Sequence, residues 1–294
     1  MYQAMNGKTY CKIGLHTHTT QSDGALTPEA AAARYREAGY DAIALTDHWI
    51  YTPAGEIGGL VILPGCEYDI PYHHIVGIGM TRDPGISREL QRDDSLSVPE
   101  RAREIIRRIR EAGGFAVLAH PAWSLSSPER IRAIGDFDAL EIYNSVSEAG
   151  MSDRPYSGLI VDMLAADYGI CPPLLATDDT HYYDGDECRG MIMVEQQALL
   201  ELGLAGAIRA CRFYATQGPE LHVCRAEDGS ICVECSPAVK IVFLSNLNWV
   251  SGRVVRGEAL CRATFHPHPA ETFVRVEITD ADGRMAWSNI IVLQ

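Results

Sequence analysis

The feature that most constrains this chain is a strand–helix alternation that runs from its first residues to about residue 210. Thr27-Pro28-Glu29, Ser97 with Pro99 and Glu100, and Ser127-Pro128-Glu129 each read as a helix start. In each, a hydroxyl residue stands at the cap and proline in the first turn, where its missing N–H costs nothing. The first two helices run to Gly39 and to Gly113-Gly114, natural stops. Short apolar segments between them predict strands over Tyr10–Leu15, Asp41–Thr46, Leu60–Cys66, Ile75–Met80, Phe115–Ala119, Ala139–Tyr143 and Leu174–Thr177, with a helix over Leu159–Tyr168 between the last two. Units of this length imply parallel strands with helical crossovers. Roughly seven of them favour an α/β barrel over an open sheet.

The pattern changes near Pro219. Ile231–Cys235, Val239–Leu244, Ala259–Phe265, Thr272–Ile278 and Ile290–Leu293 alternate, punctuated by Asp228-Gly229 and Asp282-Gly283. This predicts a boundary between residues 1–219 and an antiparallel, sandwich-like β domain over 220–294.

Composition narrows the function. An apolar fraction of 47% suits a packed core. No apolar run approaches the roughly 18 residues of a membrane helix, and Met1–Lys12 lacks the pattern of a signal peptide. Nine cysteines without framework spacing suit a reducing compartment, so a cytoplasmic protein is expected, with no membrane partner. A net charge of −14 repels a long polyanion, which disfavours a nucleic-acid polymer as partner.

Ligand-type residues recur where the predicted strands begin or end. His16-Thr17-His18 follows the first strand, with Asp23-Gly24 in the same loop. Thr46-Asp47-His48, Glu67, His74, His120-Pro121 and Asp179-Thr180-His181 mark later ones. In parallel α/β architectures such loops converge on one face. His73 competes with His74, and Asp178 with Asp179; His74 is preferred because it immediately precedes the Ile-Val-Gly strand. Asp179 has the D-x-H spacing that sends two side chains to one side of an extended segment.

These motifs resemble the PHP (polymerase and histidinol phosphatase) family, over roughly residues 10 to 219. The family's HxHxxxSDG stretch is matched from His16 to Gly24, and its TDH, Gly-x-Glu, AHP and late D-x-H motifs at Thr46–His48, Gly65–Glu67, Ala119–Pro121 and Asp179–His181. The resemblance implies a distorted (β/α)7, TIM-like barrel and a metal-dependent phosphoesterase with two or three divalent ions: Mn, Fe or Zn. It further implies that His16, His18, Glu67 and Asp179 hold one ion, Glu67, His74 and His120 a second, and Asp23, His48 and His181 a third. Many family members carry His where this chain has Asp23. Glu67, Asp179 and His181 are the expected catalytic residues.

Charge favours an anionic ester. Three divalent ions would bring six positive charges, against three negative ones from Asp23, Glu67 and Asp179. A hydroxide bridging the ions would be the nucleophile toward a monoester or small cyclic diester of a metabolite or nucleotide. Arg154 and Arg189 are candidate phosphate clamps. The competing readings are a nuclease acting on nucleic-acid ends and a non-catalytic metal-bound interaction module. His266-Pro-His268 reads as a loop and Cys232-x-x-Cys235 as strand packing, because i and i+3 face opposite sides of a strand.

Overall fold

The computed structural model describes residues 1–148 and 152–293. The chain opens with β1 (Tyr2–Gln3), β2 (Thr9–Gly14), α1 (Pro28–Glu37), β3 (Ala42–Ala44), β4 (Gly55–Ile57), β5 (Leu60–Leu63), β6 (Gly65–Ile70) and β7 (His73–Ile78). After a short 3-10 turn come α2 (Val98–Glu111), β8 (Phe115–Ala119), α3 (Pro128–Ile134), β9 (Ala139–Asn144), α4 (Gly158–Tyr168), β10 (Leu174–Thr177), β11 (Met191–Glu195), α5 (Gln196–Arg209) and β12 (Phe213–Thr216). Strands follow: β13 (Leu221–Arg225), β14 (Ile231–Leu244), β15 (Val254–Phe265), β16 (Phe273–Thr279), β17 (Met285–Trp287) and β18 (Ile291–Val292).

The helices start where the capping residues place them. The Thr27 side chain accepts the Ala30 N–H, Ser97 and Glu100 cap α2 reciprocally, and the Ser127 side chain accepts the Arg130 N–H. α2 lays Ala102, Ile105, Ile106 and Ile109 into the core beside Ile78 and Phe115. Burying that apolar face, rather than helix propensity, supplies most of its stability.

The strands form two sheets, and the expected closed barrel is not observed. The larger runs β13-β14-β16-β17-β12-β11-β2-β3-β5-β4, with β1 on β2, β15 on β14 and β18 on β16; the smaller runs β10-β9-β8-β7-β6. The two are joined by isolated bridges, Thr17 to Thr180, His48 to Glu67 and Thr52 to Gly65. The strand expected over Leu60–Cys66 breaks at Pro64, which has no N–H for a ladder, and β5 and β6 lie in different sheets. Gly65 makes that transfer sterically feasible: a Cβ there would sit 2.5 Å from the Leu45 carbonyl oxygen. Nor are the strands uniformly parallel. Only Pro71 and Tyr72 separate β6 from β7, too short a link for a parallel crossover, so β7 runs antiparallel to both neighbours. Its first residues therefore lie at the same end as the last residues of β6 and β8.

The expected boundary at 219/220 falls between β12 and β13, and the larger sheet passes across it through the β12–β17 pairing. No helix occurs among the described residues after 219. The two strands expected over 231–244 are one, with its register shifting around Pro237, where a bulge tolerates proline. Trp287 of β17 belongs to the core of the first 219 residues and stacks on Tyr143 of β9, centroids 5.3 Å apart. The buried Arg275 of β16 reaches Asp162 of α4 with two hydrogen bonds of 2.6 and 2.8 Å, and also contacts Glu277. No helix among the described residues is long and apolar enough to cross a membrane.

Candidate metal centre

The centre forms at the end of the molecule where the two sheets are bridged. Past β2 the chain stays extended, and the His18 N–H donates to the Thr180 carbonyl at 3.0 Å. The loop that follows is folded around Asp47, which is buried and accepts from Thr19 N, Thr19 Oγ1, Ser22 N and Ser22 Oγ. In the Thr-Asp-His motif, then, the aspartate shapes the first ligand loop while His48 faces the centre. Glu67 enters from within β6 rather than from a strand end; its N–H donates to the Thr46 carbonyl. His74 enters from β7, His120 follows β8, and Asp179 follows β10 with its N–H on the His16 carbonyl. His120 and Asp179 have φ of 29° and 53°, values rarely adopted by residues with a Cβ.

Three groups of ligand atoms result, each within 4.8 Å: His16, His18, Glu67 and Asp179; Glu67, His74 and His120; and His18, Asp23, His48 and His181. His18 Nε2 lies 3.0 Å from both Glu67 Oε2 and Asp179 Oδ1; His16 Nε2 lies 3.3 and 3.1 Å from the same oxygens. Glu67 Oε1 faces His74 Nδ1 at 3.0 Å and His120 Nε2 at 3.5 Å. Asp23 faces His18 Nδ1 and His181 Nε2, each at 3.5 Å, and His48 Nε2 at 3.8 Å. The structure thus gathers all nine expected ligand residues, and adds His18 to the group around Asp23.

Electrostatics show a centre built for positive charge. Burial would drive the imidazoles neutral, yet Asp179, Glu67 and Glu141 hold His16 well above its usual range. His18 is pushed up to about 9 in the same way, burial being outweighed by the adjacent Asp179 and Glu67 carboxylates. Burial likewise opposes ionisation of Glu67 and Asp179, but the surrounding histidines keep both carboxyls below their usual range. Asp23 is held low chiefly by its hydrogen bond with His181. Divalent ions fit this donor set. Asp179 Oδ1 and His48 Nδ1 are buried and make no hydrogen bond, a costly state that a coordinated cation would relieve. All donors are imidazole nitrogen or carboxylate oxygen. The neighbouring Cys66 thiol, pushed up to about 12 by burial, is no thiolate ligand.

An outer layer fixes these donors. Glu141 Oε1 lies 2.7 Å from His16 Nδ1, which leaves Nε2 facing the centre. Glu141 Oε2 accepts the His120 N–H and an Asn144 amide hydrogen, each at 2.9 Å, and Asn144 also reaches Asp179 Oδ2 at 3.2 Å. Asp69 lies 3.4 Å from His48 Nδ1 while accepting from Trp49 and Gln91. Ser124 Oγ is 3.0 Å from His120 Nδ1, and His181 Nδ1–H donates to the Asp179 carbonyl at 2.7 Å. Sequence reasoning missed Glu141 and Asp69. The available signal was an acidic residue inside an apolar strand, Ala-Leu-Glu-Ile for Glu141.

The paired alternatives separate by strand geometry. His74 faces Glu67, whereas His73 points to the other face of β7 and contacts Ser126 Oγ at 3.2 Å. Asp178 accepts the N–H groups of Cys188, Arg189 and Gly190 and so shapes the loop after Asp179. Arg189 pairs with Glu148 at 2.8 Å; the Arg154 side chain is exposed. Neither forms an ion pair with a carboxylate of the centre among the described residues. His266 and His268 lie in the loop after β15, and the Cys235 thiol donates to the Leu260 carbonyl.

A mixed α/β fold with a polyhistidine–carboxylate centre spanning three ligand groups defines a metal-binding protein whose site lies where its two sheets meet. The family model described as PHP domain matches residues 14–185, more than half of the chain, and the chain belongs to the PHP domain family. It is similar to a two-domain protein from Bacteroides vulgatus containing predicted PHP-like metal-dependent phosphoesterase. Identity is 17% and the TM-score 0.53, with 99% of this chain and 98% of that one covered. That likeness extends the shared fold to both regions of the chain. An amidohydrolase from Chromobacterium violaceum, with bound sulfate and no metal, is 20% identical over 59% of this chain and 89% of its own, at a TM-score of 0.39. No curated protein matches the chain.

Proposed function

We propose that this chain hydrolyses a phosphate monoester, or a small or cyclic diester, of a small metabolite or nucleotide, using two or three ions of Mn, Fe or Zn. The single observation that carries the reading is the sharing of Glu67 between two ligand groups, which would hold two ions side by side at one carboxylate. Bound divalent ions supply Lewis acidity toward phosphoryl oxygens and lower the pKa of water. The residues of the chain do the rest. Glu67 would serve two ligand groups and Asp179 one, Glu141 and Asp69 hold their histidines in one orientation, and His181 presents Nε2 beside Asp23 at 3.5 Å. Residues 1–219 form the phosphoesterase unit in this reading, and 220–294 a β domain packed on it. A cytoplasmic location agrees with nine free cysteines.

The test is elemental analysis with a phosphoester panel on Glu67→Gln, which keeps the shape of the side chain and removes its charge. The wild type should hold two or three ions and turn over a small ester. The variant should hold less than one ion and lose turnover at unchanged far-ultraviolet circular dichroism. Wild-type metal content and turnover in the variant would refute the reading. Degradation of single-stranded nucleic acid without activity on small esters would replace it with a nuclease.

A further inference from the structure

The residues that hold the centre are bordered by aromatic rings. Trp123 lies on the loop after His120, its ring 4.9 Å from that of His120 and 5.7 Å from that of His74, at interplanar angles of 84° and 72°. The indole is half-buried. Its loop is held in place: Ser124 N–H donates to the His120 carbonyl, Ser126 N–H to the Pro121 carbonyl and Ser126 Oγ to the Tyr72 carbonyl. Tyr182 follows His181 with its ring 6.3 Å from that histidine, and is 53% exposed. Tyr72, two residues before His74, is 52% exposed and carries the Arg130 guanidinium over its ring, 4.2 Å from the centroid. Among the described residues the carboxylates of the centre pair with histidines alone, and Arg189 is engaged by Glu148. Aromatic side chains therefore border the residues of a centre built to hold cations.

We propose that the alcohol portion of the substrate carries an aromatic or heteroaromatic ring and that Trp123 forms the wall on which it stacks. This rests on the phosphoesterase reading for the position of the phosphate. An indole on an ordered loop is preorganised, so little conformational entropy is lost when a ring packs against it. Such a wall gives no advantage to an open-chain or sugar phosphate, which would meet only its phosphate partners.

The test compares pairs whose leaving groups are both primary alcohols and differ by a ring. For the manganese-loaded protein, adenosine 5′-monophosphate is set against ribose 5-phosphate, and phenethyl phosphate against butyl phosphate. KM should be about tenfold lower for the ring-bearing member of each pair, the size expected for one aromatic contact. Phenethyl and butyl phosphonate, which are not hydrolysed, repeat the comparison by calorimetry and should show the same ratio in Kd. Trp123→Phe should keep most of the preference and Trp123→Leu, apolar but ringless, should lose it, with metal content measured on both. If Trp123 only shields His74 and His120 from water, Trp123→Leu will lose metal or weaken both members of each pair equally. That result overturns the proposal, as do equal Kd values in the wild type. Turnover on none of the esters, with the phosphonate preference intact, would sink the phosphoesterase reading and leave the ring subsite standing.

Discussion

At Glu67 one buried carboxylate faces five imidazoles, and at Glu141 another, unexpected from the sequence, holds His16 from behind. The two differ in how they could be read. The nine residues gathered at the centre were legible because each is a strong donor next to a strand boundary or inside a motif. Glu141 was not, since nothing local marks its partner His16, 125 residues away in sequence. Its role yields a prediction of its own. Glu141→Gln keeps an oxygen for His120 N–H but loses the charge that fixes the His16 tautomer. Metal affinity should fall about 10- to 100-fold, the usual cost of losing such an outer partner. Competition against a chelator measures it; an unchanged dissociation constant would show that His16 is oriented without help.

Among the elements, α1, α2 and α3 were readable because each declares its start by a hydroxyl cap and a proline, and α2 began within a residue or two of its cap. The strands were readable as segments but not as a sheet. Which ladder a strand joins depends on the length of the link behind it and on residues that refuse a hydrogen bond, here the two-residue Pro71-Tyr72 turn and Pro64. β11 and α5 escaped the reading. α5 bends at Gly203, with φ of 67°, and lacks a side-chain cap to announce it. At the transfer between sheets, Gly65→Ala would drive a methyl to 2.5 Å from the Leu45 oxygen, and backbone must shift. We expect a loss of about 1–3 kcal/mol in urea unfolding, as for other overpacked sites. A loss under about 0.5 kcal/mol, typical of an unconstrained surface change, would mean that the crossing is not tight.

For the whole molecule, the change of character near Pro219 located a shift in architecture but gave no hint that the later strands help to complete the earlier core. Trp287 and Arg275 do so from β17 and β16, and no periodicity reveals a partner 113 residues away such as Asp162. Arg275→Ala would leave Asp162 and Glu277 without their shared cation in a largely buried setting. It should destabilise the chain by about 3–5 kcal/mol, followed by urea denaturation. Loss of β16–β18 alone, with the earlier strands melting at their original midpoint, would contradict the coupling. Two of the isolated bridges that tie the sheets carry a further consequence. Thr17–Thr180 stands between ligands on both strands, and His48–Glu67 joins two ligands directly. At these two points the seam is lined on both sides by side chains that a cation would draw together, so bound metal would act as a rivet. Anything that binds only the native form stabilises it in proportion to its occupancy. Amide hydrogens along the seam, such as His18 N–H and Glu67 N–H, should exchange much faster after chelation than those deep in β8 and β9. Removing the ions would loosen the backbone along this seam while the far end stays rigid.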